Sequence, residues 1–111
     1  MATVDQCRQA LRDIAERLGA DPDAAERVNL DRSLACHVRD LDVFFHGRLR
    51  GGTIIDIADG DDPKAQIRLT IRGDDLLALV AGELNFGAAW ASGRVSVRAS
   101  FGDLLKLRKL L

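Results

Sequence analysis

The chain opens with Thr3-Val4-Asp5-Gln6, in which Thr3 can cap a helix and Gln6 can reach back from three positions on. Val4, Cys7, Leu11, Ile14 and Leu18 then recur at helical spacing, and Gly19 is a natural stop. The pattern predicts an amphipathic helix over residues 4–18. Asp21 and Pro22 suit the cap and first position of a short second helix. From Ser33 the period shortens to two. Leu34, Cys36 and Val38 share one face of a strand, and Ala35, His37 and Arg39 share the other. After a turn at Asp40-Leu41-Asp42, the set Val43, Phe45, Gly47 and Leu49 alternates with Phe44, His46 and Arg48. A hairpin that pairs His37 with His46 sets Val38 against Phe45 and Leu34 against Leu49, which leaves one face uniformly apolar.

Gly51-Gly52 predicts another tight turn, followed by a strand over residues 53–58. In that strand Ile55 and Ile57 share a face that Ile54 does not, so a bulge near the glycines is expected. A solvated loop, 58–64, leads to a cleanly alternating strand. There Ala65, Ile67, Leu69 and Ile71 point inward, and Gln66, Arg68, Thr70 and Arg72 point outward. Gly73 or Asp74 caps a helix with a wide apolar face, Leu76, Leu77, Leu79 and Val80, that Gly82 ends. Asn85 caps a short helix that Gly93 stops. A fifth strand places Val95, Val97 and Ala99 inward, and Phe101 to Leu111 forms the last helix. The order is α(α)ββββααβα. Four consecutive strands predict an antiparallel meander; the fifth, arriving after a helical excursion, is free to lie parallel to a neighbour. The fold class is α+β, a two-layer sandwich of a five-stranded, mostly antiparallel sheet with helices packed on one face. Residues 1–111 make one domain.

Aromatic residues are only 5% of the chain, so the core is aliphatic. A net charge of −1 supplies no global field for nucleic acid or an anionic membrane. The charge is uneven, however: Arg94, Arg98, Lys106, Arg108 and Lys109 face one acid, Asp103, in the last stretch. Such a basic, leucine-rich C-terminal helix suits transient membrane contact through acidic head groups. The same cations also favour a helix C-terminus through the dipole. Leu105, Leu110 and Leu111 cannot all share a helix face with Leu104. Some of them must therefore be exposed, meet a second chain or touch lipid.

Cys7 and Cys36 sit at apolar phases and read as buried, reduced thiols. No basic region precedes an apolar stretch at the start, and no apolar run approaches 18 residues, so a cytoplasmic location is expected. Alternation puts Cys36 opposite His37 and away from His46, which leaves no metal set. Asp61-Asp62 and Asp74-Asp75 read as a loop and a helix start. There is no nucleophile elbow, phosphate-binding loop or redox dithiol motif, so no catalysis and no cofactor are expected. Arg72, Arg94 and Arg98 lack aromatic neighbours, which argues against nucleic acid. Phe44, beside His46 on the outer face, marks a candidate dimer contact; monomer and homodimer both stay open.

Asp74-Asp75-Leu76-Leu77-Ala78-Leu79, then Ala89-Trp90-Ala91-Ser92-Gly93-Arg94-Val95-Ser96-Val97-Arg98, then a leucine-rich helix, resemble the sterol carrier protein family of lipid-binding domains. The likeness is to its short, bacterial-type stand-alone form and covers about residues 34–111. Two details depart from the family pattern. Ala99-Ser100 stands where Gly-Asp is frequent, and Asn85 stands where a proline precedes the short helix. The resemblance implies an apolar tunnel between sheet and helices that takes a fatty acid, acyl-CoA or sterol, with no metal and no chemistry.

Small residues at Ala81, Gly82, Gly87, Ala88, Ala89, Ala91, Ser92 and Gly93 are compatible with space under the last helix. An empty cavity of about 300 Å³ would cost on the order of 7 kcal/mol, a large part of a total stability of about 5–15 kcal/mol. Such space is therefore absent, open to water, or filled by lipid. On the lipid reading the lining residues are Phe45, Ile67, Leu69, Ile71, Leu76, Val80, Phe86, Trp90, Val97, Leu104 and Leu107. The alternative is a non-binding interaction or dimerisation module, its tunnel collapsed, accessory to a lipid-metabolising enzyme.

Overall fold

In the computed structural model, which describes residues 1–21, 23, 26 and 30–108, Thr3 caps the first helix as its sequence predicts. The Thr3 hydroxyl accepts the Gln6 N–H and the Gln6 side chain accepts the Thr3 N–H, at 3.1 and 2.9 Å. Helix α1 (Val4–Ala20) runs slightly past Gly19 and buries Cys7, Ala10 and Leu11 along one stripe. The short helix expected from Pro22 falls outside the described residues.

The strands are β1 (Arg32–Val38), β2 (Val43–Arg50), β3 (Thr53–Asp59), β4 (Ile67–Ile71) and β5 (Val95–Arg98). The later helices are α2 (Gly73–Val80), α3 (Phe86–Ala91) and α4 (Phe101–Leu107). All contribute to an α+β sandwich with a mixed sheet in the order β3-β2-β1-β4-β5. The expected meander is therefore corrected: β4 bypasses β3 and pairs parallel to β1. The edge strand β3 offers exposed Asp56, Ala58 and Asp59, whereas β1 offers buried Leu34, Cys36 and Val38 opposite Ile67, Leu69 and Ile71. Burial of both faces favours the central position for an apolar strand. The fifth strand returns antiparallel to β4, because α2 and α3 bring the chain back to the end it left: Ile71 pairs with Val95.

The hairpin register also differs from the expected one. Ala35 pairs with His46, Cys36 with Phe45, and Val38 with Val43, so His37 does not meet His46. The shift is by two residues, which preserves the apolar face. Its cause is local. The Arg39 N–H is donated to the Ile71 carbonyl at 3.0 Å and the Asp40 carboxylate accepts the Gly73 N–H at 2.8 Å. Both residues are thereby drawn from the hairpin towards β4 and α2.

The bulge in β3 lies opposite Gly47, in mid-strand and away from Gly51-Gly52. Ile55 pairs with Arg48 and Ala58 with His46, while Asp56 adopts φ 57°. The extra residue turns Ile54 and Ile57, in place of Ile55 and Ile57, towards the core clusters. A Cβ on Gly47 would stand 2.9 Å from the Ile55 carbonyl oxygen, so the bulge requires glycine there.

Two substitutions of glycine by alanine are expected to have opposite signs in urea titrations. Gly47→Ala forces the β3 backbone aside and costs about 1–3 kcal/mol. Gly102→Ala, inside α4 with nothing within 4 Å of the added methyl, gains about 0.5–1 kcal/mol.

Candidate functional site

The strand registers arrange the inner face of the sheet in rows. One row runs Val43–Val38–Ile71–Val95, the next Phe45–Cys36–Leu69–Val97, and a third starts Gly47–Leu34–Ile67. Val38, Ile71 and Val95 are buried, and so are Leu34 and Ile67. In the middle row Phe45 and Cys36 are buried, but Leu69 and Val97 are only half-buried. The helix layer thus leaves the β4–β5 end of the middle row partly uncovered, with fuller cover on either side.

The same seam divides the core. One cluster holds Phe45, Ile71 and Leu76, with Leu69, Val80, Phe86 and Trp90 packed against it. The other holds Ile67 and Leu107, with Leu69, Trp90 and Val97 against it. Leu69 and Trp90 belong to both, so they mark the join. Leu104 is half-buried on α4 and stands outside both clusters among the described residues.

The segments over the seam are short and locally capped. The Asn85 side chain accepts the Ala88 N–H at the start of α3. Helix α3 sets Phe86 edge-on to Trp90, with ring centroids 5.9 Å apart, and buries the small Ala89. The Ser100 hydroxyl accepts the Asp103 N–H at the start of α4. Asp103, its side chain 8% exposed, then accepts a 3.0 Å hydrogen bond from Arg32 Nε, tying α4 to the first residue of β1. On the other side of α4, Phe101 and Leu105 are exposed by 77% and 47%, one turn apart.

Two hollows stand out among the described residues, and of the expected lining residues only Phe45 borders either of them. The larger, about 510 Å³, is lined by Arg39, Arg72, Asp74, Asp75, Ser92, Gly93 and Arg94. The smaller, about 270 Å³, lies between Val4, the start of β2 and Asp59-Gly60-Asp61. Alternation alone marks Arg72 as outward and does not connect it with Arg39 or Arg94. Their convergence depends on the β1–β4 pairing, which no local pattern announces.

The histidines find partners within the chain. His37 stacks on Phe44 at 4.2 Å and its Nε2 lies 3.1 Å from an Asp42 carboxylate oxygen; His46 Nδ1 lies 2.9 Å from the Gly60 carbonyl oxygen. Among the described residues no group of three or more His, Cys, Asp or Glu could hold a metal ion. Cys7 and Cys36 are free thiols. Burial, with Cys7 nearby, pushes the Cys36 thiol up to about 12. The Gly73 N–H holds the Asp40 carboxyl below its usual range.

No protein-family model matches the sequence, and no curated protein matches it. Solved structures do. The chain resembles sterol carrier protein 2-like 2 of Aedes aegypti over 96% of its own length and 97% of that chain, with TM-score 0.68 and 19% identity. That protein is also known in a palmitated form. The sterol carrier protein domain 2 of Helicoverpa armigera matches 92% of this chain, and 82% of its own chain is covered, with TM-score 0.64 and 18% identity. The inverting sec-alkylsulfatase Pisa1 of Pseudomonas sp. is 27% identical over 88% of this chain, at TM-score 0.60. This chain spans only 15% of that enzyme's length. The chain folds as a sterol carrier protein-like domain.

Two measurements check this geometry. Asp103→Ala leaves Arg32 without its carboxylate and is expected to cost about 1–3 kcal/mol, with amide exchange accelerated in α4 before the central strands. Because the folded Cys36 thiol titrates near 12 against an ordinary value of 9.0, its contribution to stability is full below pH 9. That contribution is lost as pH rises towards 12. Denaturation midpoints of Cys36→Ala are therefore expected to fall less steeply over that window than those of the unaltered protein.

Proposed function

We propose that the protein binds, and transfers, an apolar lipid whose alkyl chain lies along the seam over Leu69 and Val97. The observation that carries the reading is the partial exposure of these inner-face residues between buried neighbours Ile67, Ile71 and Val95. An alkyl chain laid there gains about 0.8 kcal/mol per buried CH₂, so ten carbons offset roughly the cost of opening a cavity of about 300 Å³. The small α3 residues Gly87, Ala88 and Ala89 allow that helix to shift with little loss of interlocking side chains. The palmitated form of the Aedes protein supports a chain-bearing ligand.

In this reading Ile67, Leu69, Ile71, Leu76, Val80, Phe86, Trp90, Val97, Leu104 and Leu107 form the floor, sides and lid, and the buried Phe45 closes the row at its far end. Fatty acids, acyl-CoA and sterols are the candidate ligands, and the domain performs no chemistry on them. No described helix is long and apolar enough to cross a membrane. Exposed Phe101 and Leu105, beside Lys106 and Arg108, instead provide a surface for transient contact with an anionic bilayer during transfer.

One observation favours a second reading. The Pisa1 match places this fold in a small fraction of a much longer enzyme, as an accessory module without a ligand of its own would be. Trp90, the single tryptophan, distinguishes the two. Titration with palmitate is expected to shift its emission to the blue and to saturate, and Leu69→Arg is expected to weaken binding at least tenfold. An unchanged spectrum together with no saturable displacement of a fluorescent fatty acid would leave the accessory reading. Lipid loading unaltered by removal of residues 104–111 would remove α4 from the site.

A further inference from the structure

Arg39, Arg72 and Arg94 each stand one residue beyond a buried row of the sheet. Val38 pairs with Ile71, and Ile71 with Val95. The next positions outward on β1, β4 and β5 are these arginines. Adjacent strands lie about 4.8 Å apart, so the row carries its cations on backbones spanning about 10 Å. All are exposed, and all line the hollow of about 510 Å³. Like charges side by side on neighbouring strands destabilise a sheet.

Elsewhere this chain places carboxylates on many of its guanidiniums. Arg8 pairs with Asp5 and Asp59, Arg32 with Asp103, Arg48 and Arg50 with Asp31, and Arg68 with Asp61. In the hollow, Asp74 and Asp75 stand within the same lining, yet no ion pair with Arg39, Arg72 or Arg94 forms among the described residues. One Asp74 oxygen accepts the Ala2 N–H at 2.8 Å. Asp40 accepts the Gly73 N–H and feels Arg72 only through space. Asp74 is thus partly committed to a backbone donor, and Asp40, outside the lining, is too, while the guanidinium forks remain available.

We propose that Arg39, Arg72 and Arg94 form a subsite for a tetrahedral oxyanion, a phosphate or sulfate, carried as the head group of the chain in the seam. Guanidinium forks match such oxygens in shape and charge, and several forks converging from separate strands suit a phosphate or sulfate better than a single carboxylate. Helix α2 begins at the hollow with Gly73-Asp74-Asp75, adding its positive end. The seam is close by. Arg72 lies three positions beyond Leu69 and Arg94 three before Val97, about 10 Å along each strand, so the chain must pass the buried Ile71 and Val95 to reach them. Ser92 and Gly93, in the wall of the hollow, follow Trp90 on the same short segment.

The head-group assignment rests on the lipid reading, and the ligands can be chosen to separate the two. Calorimetry with dodecyl phosphate, 1-dodecanol and inorganic phosphate is run below micellar concentrations, on the unaltered chain and on Arg72→Gln/Arg94→Gln. The proposal expects dodecyl phosphate to bind about ten to a hundred times more tightly than dodecanol. In the double variant that ratio falls towards one, with dodecanol binding unchanged. Because it relieves like-charge contact, the variant is expected to melt no lower than the unaltered protein. Equal affinity for both alkyl ligands in the unaltered chain would overturn the subsite and leave the lipid reading standing. Tight binding of inorganic phosphate with neither alkyl ligand bound would overturn the head-group assignment and the lipid reading together.

Discussion

Arg39 donates its backbone N–H to Ile71 while Asp40 accepts that of Gly73, and these bonds fasten the end of β1 to the end of β4. Parallel pairing of Leu34–Val38 with Ile67–Ile71 follows in the same register. It makes β1 and β4 the sheet's centre, leaves β3 as a bulged edge and gives β5 a place beside β4. It also aligns the inner rows, so that Phe45, Cys36, Leu69 and Val97 form a continuous apolar strip. A strand order that followed the chain would separate Cys36 from Leu69 and dismantle the strip.

What lies over that strip is unequal. Helix α1 packs on β3 and α2: the Thr53 hydroxyl donates to the Ala15 carbonyl, Arg8 pairs with Asp59 over the ring of the buried Phe45, and Cys7 lies beside Gly73. Over β4 and β5 the cover consists of Leu76 and its neighbours on α2 and the short helices α3 and α4, the last two held by side-chain caps and the Arg32–Asp103 bridge. Helices this short gain little from their own hydrogen bonds and depend on packing. The part of the protein with the least helix is therefore the part where apolar side chains keep some exposure, and local opening is least costly there. A site for an oily chain fits that distribution better than it fits the well-covered side under α1.

Local signals in the sequence were legible because they depend on near neighbours. Thr3 and Gln6, Asn85, and Gly82 and Gly93 at helix ends all appear in the structure as expected. So does the inward alternation of Ile67, Leu69 and Ile71. Long-range pairing was less accessible. Alternation specifies faces but is blind to even shifts, which is why the hairpin register moved by two while its apolar face survived. The β3 phase could not be solved from Ile54, Ile55 and Ile57 alone, because the answer depends on Gly47 across the strand gap. The arginine row is invisible until β1 and β4 are known to be neighbours.

The central claim is that an alkyl chain occupies the half-covered end of the middle row. Methyl-resolved NMR of the protein with palmitate tests it most directly, through contacts between acyl-chain protons and individual side chains. The account predicts such contacts at the methyls of Leu69 and Val97, with none at Val38, which is fully buried one row away. Methyl signals of Leu69 and Val97 that neither move nor show contacts at saturating palmitate would contradict it.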